Sequence, residues 1–442
     1  MKKVILVLIV LTFLSVCVCA EEIPEISSDY AIVYNVENDM ILFEKGADSI
    51  IYPASLVKIM TGILACEYYD ENGNVDVVVS QSALDMVKGN KVGLKAGETV
   101  PFYDLMCAAL VGSGNDACYV IAETVGGSVD VFINMMNEKA KSLGALHTNY
   151  SNPGGYHSSY MLTTLYDQAL ISAYASQNNT LLDITSLVSY TMPETNLSKK
   201  RTFTNQNLLF DDSHWLRHYT PNTAGLNVGM TSEAGWCIST VFYDDGLTDI
   251  VIVSGGTLVN YEHKYLADAK NLMKYAKDQY DFVKVLDKSR VFYDMPVKLD
   301  DDKDKILLVT DSEIVSLLPA DINTDTDIRL ESSVDTHELI APVQAGDVFG
   351  TVSAYYGERL LGVANLVATT SAKRSLKLFV FDKIQKFFAN EIVKSIFVFL
   401  SSLIFVFLVA IFIYVCIKRR KKRLRQRRYI ARGKTHARKD LK

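Results

Sequence analysis

Seven cysteines in 442 residues are too few for a disulfide scaffold. Cys66, Cys107, Cys118 and Cys237 fit neither a zinc spacing nor a dense framework, and read as buried small hydrophobes, with one disulfide among them as the alternative. The seven histidines show no paired ligand spacing, so no metal site is expected. Neither a GxGxxG fingerprint nor a P-loop is present, which leaves no nucleotide and no cofactor to expect. Internal repeats and low-complexity segments are also missing.

Charge is unevenly placed. Ser395 to Ile417 carries none, and its 23 residues are long enough to span a bilayer core of about 30 Å. KRRKKRLRQRR follows directly. Lys418 to Lys442 holds fourteen Lys or Arg against one Asp, so +13; the formal total of −6 leaves −19 for the rest. Beside a membrane span, a basic tail reads as a cytoplasmic flank touching anionic lipid rather than nucleic acid. MKKVILVLIVLTFLSVCVCA reads as a secretory signal cut after Ala20, with a retained anchor as the alternative. The expected chain is therefore a single-pass cell-membrane protein with its main body outside the cytoplasm. Its expected segments are a signal (1–20), a main domain (21–285), an all-β domain (286–370), a membrane-proximal helix (373–394), a span (395–417) and a tail (418–442).

YAIVYNVENDMILFEKGAD predicts a hairpin about the turn ENDM. VPFYDLMCAALVGSG, NDACYVIAETVGG and VDVFINMMNEKAKSLG have helical spacing, the last ending at Gly. DIVIVSGG predicts a buried strand and YLADAKNLMKYAKDQY a helix after it. Strands at both ends of the domain with helices between them predict an α/β (α+β) domain, one antiparallel sheet covered by helices. From Asp287 to Ala368 short strands alternate with turns, which predicts a small β-sandwich. SLKLFVFDKIQKFFANEIVK puts Leu376, Val380, Ile384 and Phe387 on one face, as for a helix lying on a membrane; a helix packed on the β domain is the alternative.

PASLVKIMTGILACE places Ser55 and Lys58 three apart at a helix start, on one face. A serine is a weak nucleophile until a neighbouring base takes its proton, and a buried lysine has a lowered pKa suited to that. The same spacing also occurs on ordinary solvated helices. LVGSGNDACYVIAE puts Ser113 and Asn115 in a turn between helices, where they can face a cleft, or where Asn115 or Asp116 caps the second helix. In LNVGMTSEAGW, Gly229 inside a strand marks close approach by another group.

SLVK (55–58), SGN (113–115) and LNVGMTSEAGW stand in the order S-x-x-K, S-x-N, K-T-G. With FINMMNEKAKSLGALHTNYSNPGGYH and the appended β domain, residues 28 to 370 resemble the low-molecular-mass penicillin-binding proteins, the serine D-alanyl-D-alanine carboxypeptidases. The resemblance implies a penicillin-binding-protein/β-lactamase-like transpeptidase fold. It makes Ser55 the nucleophile toward a peptidoglycan stem peptide, Lys58 the base and Ser113 a proton relay. It makes Asn115 a substrate ligand, places an oxyanion hole at the Ser55 and Met230 N–H groups, and names β-lactams as inhibitors. Asn227 and Val228 stand where the family has Lys and Thr beside Gly229, and Tyr265, next to Lys264, stands at a slot expected to be basic. Loss of those carboxylate contacts leaves three readings. They are a slow carboxypeptidase, an enzyme for a peptide whose carboxylate is absent or elsewhere, and a catalytically impaired homologue that binds wall peptide or a partner. A β-lactamase would need a water-activating Glu; Glu194 in MPETN, with Asn196, reads instead as a surface residue on a strand.

Overall fold

The computed structural model describes residues 23–436 other than 216, 217, 245, 260 and 261. The expected signal at 1–20 and the last residues of the tail lie outside the described residues. The chain divides into two units, one reaching Val283 and including Leu317–Ile322, the other comprising Lys284–Ser316 and Asn323–Lys442.

In the first unit, Tyr30–Asn35 (β1) and Met40–Lys45 (β2) form the expected hairpin, with a bulge between Val33 and Tyr34. Val57–Asn72 (α1), Phe102–Leu110 (α2), Asn115–Gly126 (α3), Val129–Ser142 (α4) and Leu165–Ala175 (α5) follow. Ser128 and Thr164 cap α4 and α5 by accepting N–H bonds from Val131 and Asp167. Thr223–Thr231 (β3), Gly235–Asp244 (β4) and Leu247–Gly256 (β5) then return, and Lys264–Gln279 (α6) closes the unit. The sheet order is β2-β1-β5-β4-β3, antiparallel throughout.

Strand side chains alternate between faces, and this sheet is covered on both. Ile32, Cys237, Val241, Ile250 and Ile252 join the larger core with α1 to α5. Ala31, Val33, Val228, Ile238, Val251 and Val253 join a second core with Leu266, Ala269 and Leu272 of α6. Helix α1 is buried from Val57 through Cys66, which explains why its sequence is apolar around most of its circumference. The four cysteines among the described residues of this unit, Cys66, Cys107, Cys118 and Cys237, are buried free thiols. Burial pushes Cys66 and Cys107 up to about 12 and Cys118 up to about 11.

In the second unit, Val291–Lys298 (β6), Lys305–Thr310 (β7), Ile328–Val334 (β8), Leu339–Ile340 (β9), Val348–Tyr356 (β10) and Arg359–Ala368 (β11) make a six-stranded sheet. Its order is β8-β10-β11-β7-β6-β9, and the β6–β9 pair is parallel. Leu376–Ala389 (α7) starts on a Ser375 cap, and Leu376, Val380, Ile384 and Phe387 are exposed along it. Glu391–His436 (α8) runs unbroken through the apolar segment into the basic one. Among the described residues α8 is the one helix long and apolar enough to cross a membrane.

One buried charge tests the end of the central strand of the first sheet. Asp249 on β5 is 3% exposed and accepts a 2.7 Å bond from Asn35 Nδ2 on the neighbouring strand. Burial is the main cause that raises its carboxyl to about 6, and the Glu37 and Asp244 charges add to it. Between pH 3.8 and about 6 the native state therefore holds the proton more tightly than the unfolded chain. Stability falls as pH rises through that window. Asp249→Asn is expected to gain on the wild type across it, by up to roughly 3 kcal/mol above pH 6, with no difference near pH 3.5. Urea denaturation at the two pH values checks this; equal gains at both would disprove it.

Candidate active site

Ala54–Leu56 makes one 3₁₀ turn that leads into α1, with Ala54 at φ +48°. Ser55 and Lys58 share a face here, as their spacing predicts. Lys58 is 1% exposed, and its Nζ lies 3.1 Å from Ser55 Oγ and 2.5 Å from the Gly154 carbonyl. Burial pulls the Lys58 ammonium below the ordinary lysine range, only partly opposed by Cys118. In its neutral form the amine donates to Gly154 and keeps a lone pair for the Ser55 hydroxyl proton. This pairing can activate an oxygen nucleophile for acyl transfer.

The Gly154 carbonyl is itself held. Asn152 Oδ1 accepts from the N–H groups of Gly154, Gly155 and Tyr156 at 3.2, 2.8 and 3.2 Å. Thr61 on α1 donates to the Pro153 carbonyl at 2.7 Å. Gly155 sits at φ +79°, and a Cβ there would collide with the Ala54 carbonyl. Sequence reasoning missed Asn152 and Gly154 as parts of the site; the turn-forming run NPGG was the available signal. His157 packs edge-on to Tyr52 at 4.8 Å and lies 3.7 Å from Glu233 Oε2.

Ser113 is 7% exposed with φ +50°. Asn115 begins α3 rather than sitting in the turn. Its Nδ2 donates to the Lys88 carbonyl at 2.6 Å, its Oδ1 is buried without a partner, and a Cβ on Gly154 would meet its Cγ at 2.8 Å. The N-cap of α3 is Gly114, not Asp116, although Asp116 Oδ1 accepts from the Ala117 N–H at 3.1 Å. Its carboxylate accepts from Val92, Gly93 and Leu94 N–H at 2.9, 2.9 and 3.1 Å, tying a distant loop to the helix start. Glu194 is exposed and lies beyond a strand that ends at Met192, so the loop follows the strand rather than preceding it. Asn196 bridges Thr99 N–H and the Gly97 carbonyl.

Strand β3 closes the site. A Cβ on Gly229 would fall 2.5 Å from Ser55 N and 2.9 Å from Ser55 Cβ, so only glycine lets the strand lie this close. Gly229 pairs with Cys237 and Asn227 with Ser239, whose hydroxyl meets Ser172 of α5 at 2.9 Å. Asn227 therefore points to the same face as Ser55; it is 4% exposed, and its Nδ2 has no partner. Val228 points the other way, into the α6 core. Met230 is 54% exposed. Tyr265 is 1% exposed, stacked on Trp236 at 5.1 Å, with its hydroxyl 3.3 Å from His263 Nδ1. Lys264 pairs with Glu262 at 2.7 Å.

Residues 18–256, more than half of the chain, match the peptidase family S11, described as D-alanyl-D-alanine carboxypeptidase. The chain belongs to this family. Residues 280–374 match the C-terminal domain of penicillin-binding protein 5. The D-alanyl-D-alanine carboxypeptidase DacF of Bacillus subtilis is 25% identical over 348 residues, 78% of this chain and 86% of its own length. DacA of Escherichia coli is 26% identical over 340 residues, 75% and 80% of the two chains. The crystal structure of penicillin-binding protein 5 from Haemophilus influenzae superposes with a TM-score of 0.58 at 22% identity, covering 80% of this chain and all of that one. The fold is thus of the penicillin-binding protein 5 type, an α/β transpeptidase domain with a C-terminal β domain. An apolar C-terminal helix consistent with a membrane anchor follows.

The carboxypeptidase-family domain has no slack where β3 meets Ser55. Gly229→Ala is expected to push the strand from Ser55, lowering stability by about 1–3 kcal/mol and abolishing β-lactam labelling in the folded fraction. Thermal melts alongside labelling decide it; normal labelling of Gly229→Ala would show that the approach is not needed.

Proposed function

We propose that this protein is a serine-type D-alanyl-D-alanine carboxypeptidase acting on peptidoglycan stem peptides through a Ser55 acyl-enzyme, with weakened activity toward the free-acid peptide. The observation that carries the reading is the buried Lys58 amine, 3.1 Å from Ser55 Oγ. Lys58 takes the hydroxyl proton as Ser55 attacks the carbonyl between the last two D-alanines. Ser113 passes a proton to the leaving amine, and Asn115 holds the peptide backbone. The Ser55 and Met230 N–H groups receive the developing oxyanion. D-alanine leaves, and water hydrolyses the ester.

Asn227 and Val228 occupy the Lys and Thr positions of the family's K-T-G, and Gly229 keeps the third. A charge-assisted hydrogen bond is worth roughly 1.5–3 kcal/mol, so losing one costs about 10–150-fold. The nucleophilic half of the site is kept while the carboxylate-binding half is not.

Labelled penicillin is expected to tag the wild type slowly and Ser55→Ala not at all. Lys58→Arg is expected to lose labelling, because a guanidinium stays protonated. Wild-type labelling should fall as pH drops through the lowered Lys58 pKa, since the ammonium has no lone pair. Equal labelling of Ser55→Ala would remove Ser55 from its role. No labelling of a folded wild type would favour the impaired homologue that binds without turnover.

The apolar stretch of α8 with its basic flank supports one span, with the catalytic domain outside the cytoplasm and the tail inside. The exposed apolar stripe of α7 supports a helix lying on the outer membrane surface ahead of that span. Protease added to wall-stripped cells is expected to remove the catalytic domain and spare an epitope placed on the tail; digestion of the tail first would reverse the orientation.

A further inference from the structure

We propose that the site selects D-alanyl amides whose leaving amine carries no carboxylate beside the scissile bond. This rests on Ser55 acyl transfer as described above and goes on to name the substrate class.

Two buried amide atoms in the site lack partners. Asn227 Nδ2 lies on the Ser55 face of β3, at 4% exposure. Asn115 Oδ1 lies beside Gly154, at 5% exposure. Leaving such a group unpaired is costly, and a ligand that bonds to it recovers that cost. One atom is a donor and the other an acceptor, and both are uncharged. They match the C=O and N–H of a peptide amide.

The charges around them do not suit a carboxylate. Lys58 is buried with its ammonium disfavoured and is committed to Ser55 and Gly154. Arg201 is paired with Glu98 at 2.5 Å, and Lys264 with Glu262. Lys88 places its ammonium over the Tyr156 ring at 5.7 Å. The charged side chain in the β3–β4 turn is an acid, Glu233, held below the usual carboxylate range by its bond with Ser232. Tyr265 is neutral and buried under Trp236. A carboxylate on the leaving group would find an uncharged amide on β3 and an anion at the strand's end.

The reaction keeps its balance without any added reagent. The Ser55 Oγ–carbon bond forms, the amide carbon–nitrogen bond breaks, and the hydroxyl proton ends on the departing amine. Water then cleaves the ester to give the D-alanine carboxylate and free Ser55.

Three substrates with one acyl-D-alanyl half separate the cases: a D-alanine free acid, its D-alaninamide, and an amide to the side-chain amine of lysine, as in a cross-link. The full chain in detergent is expected to turn over one or both neutral amides with kcat/KM about tenfold or more above the free acid, the scale of one charge-assisted contact. The amide and lysyl arms tell a capped terminus from a cross-link. Asn227→Lys should reverse the order in favour of the free acid. Asn227→Leu, which removes the donor without adding charge, should slow the neutral amides more than the free acid. Preference of the wild type for the free acid overturns the proposal, whatever the variants do. Absence of turnover on all three overturns it as well. A penicillin adduct on Ser55 in either case leaves serine acyl transfer standing, whereas a folded wild type with neither adduct nor turnover removes both.

Discussion

A lysine amine buried between a serine hydroxyl and a glycine carbonyl sets the terms for this domain. Lys58 cannot carry its charge comfortably at 1% exposure, and that discomfort lowers its pKa and suits it to accept a proton. The burial has to be enforced. Helix α1 supplies it by being apolar from Val57 to Cys66 and packing into the larger core. The Asn152 turn supplies the carbonyl that Lys58 needs once it has left water. Gly155 and Gly229 let two backbones approach Ser55 from different directions. Together these parts hold Ser55, Lys58 and the Gly154 carbonyl against one another.

Helices and strands were legible because their periods are local. The β1–β2 hairpin, the helices around SGN and the buried β5 strand all stand where apolar spacing and Gly punctuation place them. Ser55 and Lys58 were legible for the same reason, since three residues on a helix fix one face. The supporting contacts were not. Asp116 looked like a cap from its position, but it holds amides 22 to 24 residues back along the chain, a partnership no local rule reveals. The carbonyl on Lys58 comes from 96 residues away.

Asn227 and Val228 show a subtler limit. They are adjacent, and a motif reads them as a pair, but a strand sends neighbours to opposite faces. Register puts Asn227 on the side of Ser55 and Val228 among Leu266, Ala269 and Tyr265. Change at 227 alters the chemistry offered to a ligand. Change at 228 alters a core, where a buried hydroxyl must find an acceptor or weaken the fold. The two positions belong to different surroundings, one on the face of Ser55 and one in a packed core.

Ser113 stands at φ +50°, a region that glycine enters freely and other residues enter at a cost on the order of 1 kcal/mol. Ala54, next to Ser55, does the same at φ +48°. Glycine at 113 would relax the backbone and discard the hydroxyl in one step. Backbone strain and side-chain chemistry thus pull in opposite directions at this turn, and any gain in stability from glycine would come at the expense of the hydroxyl.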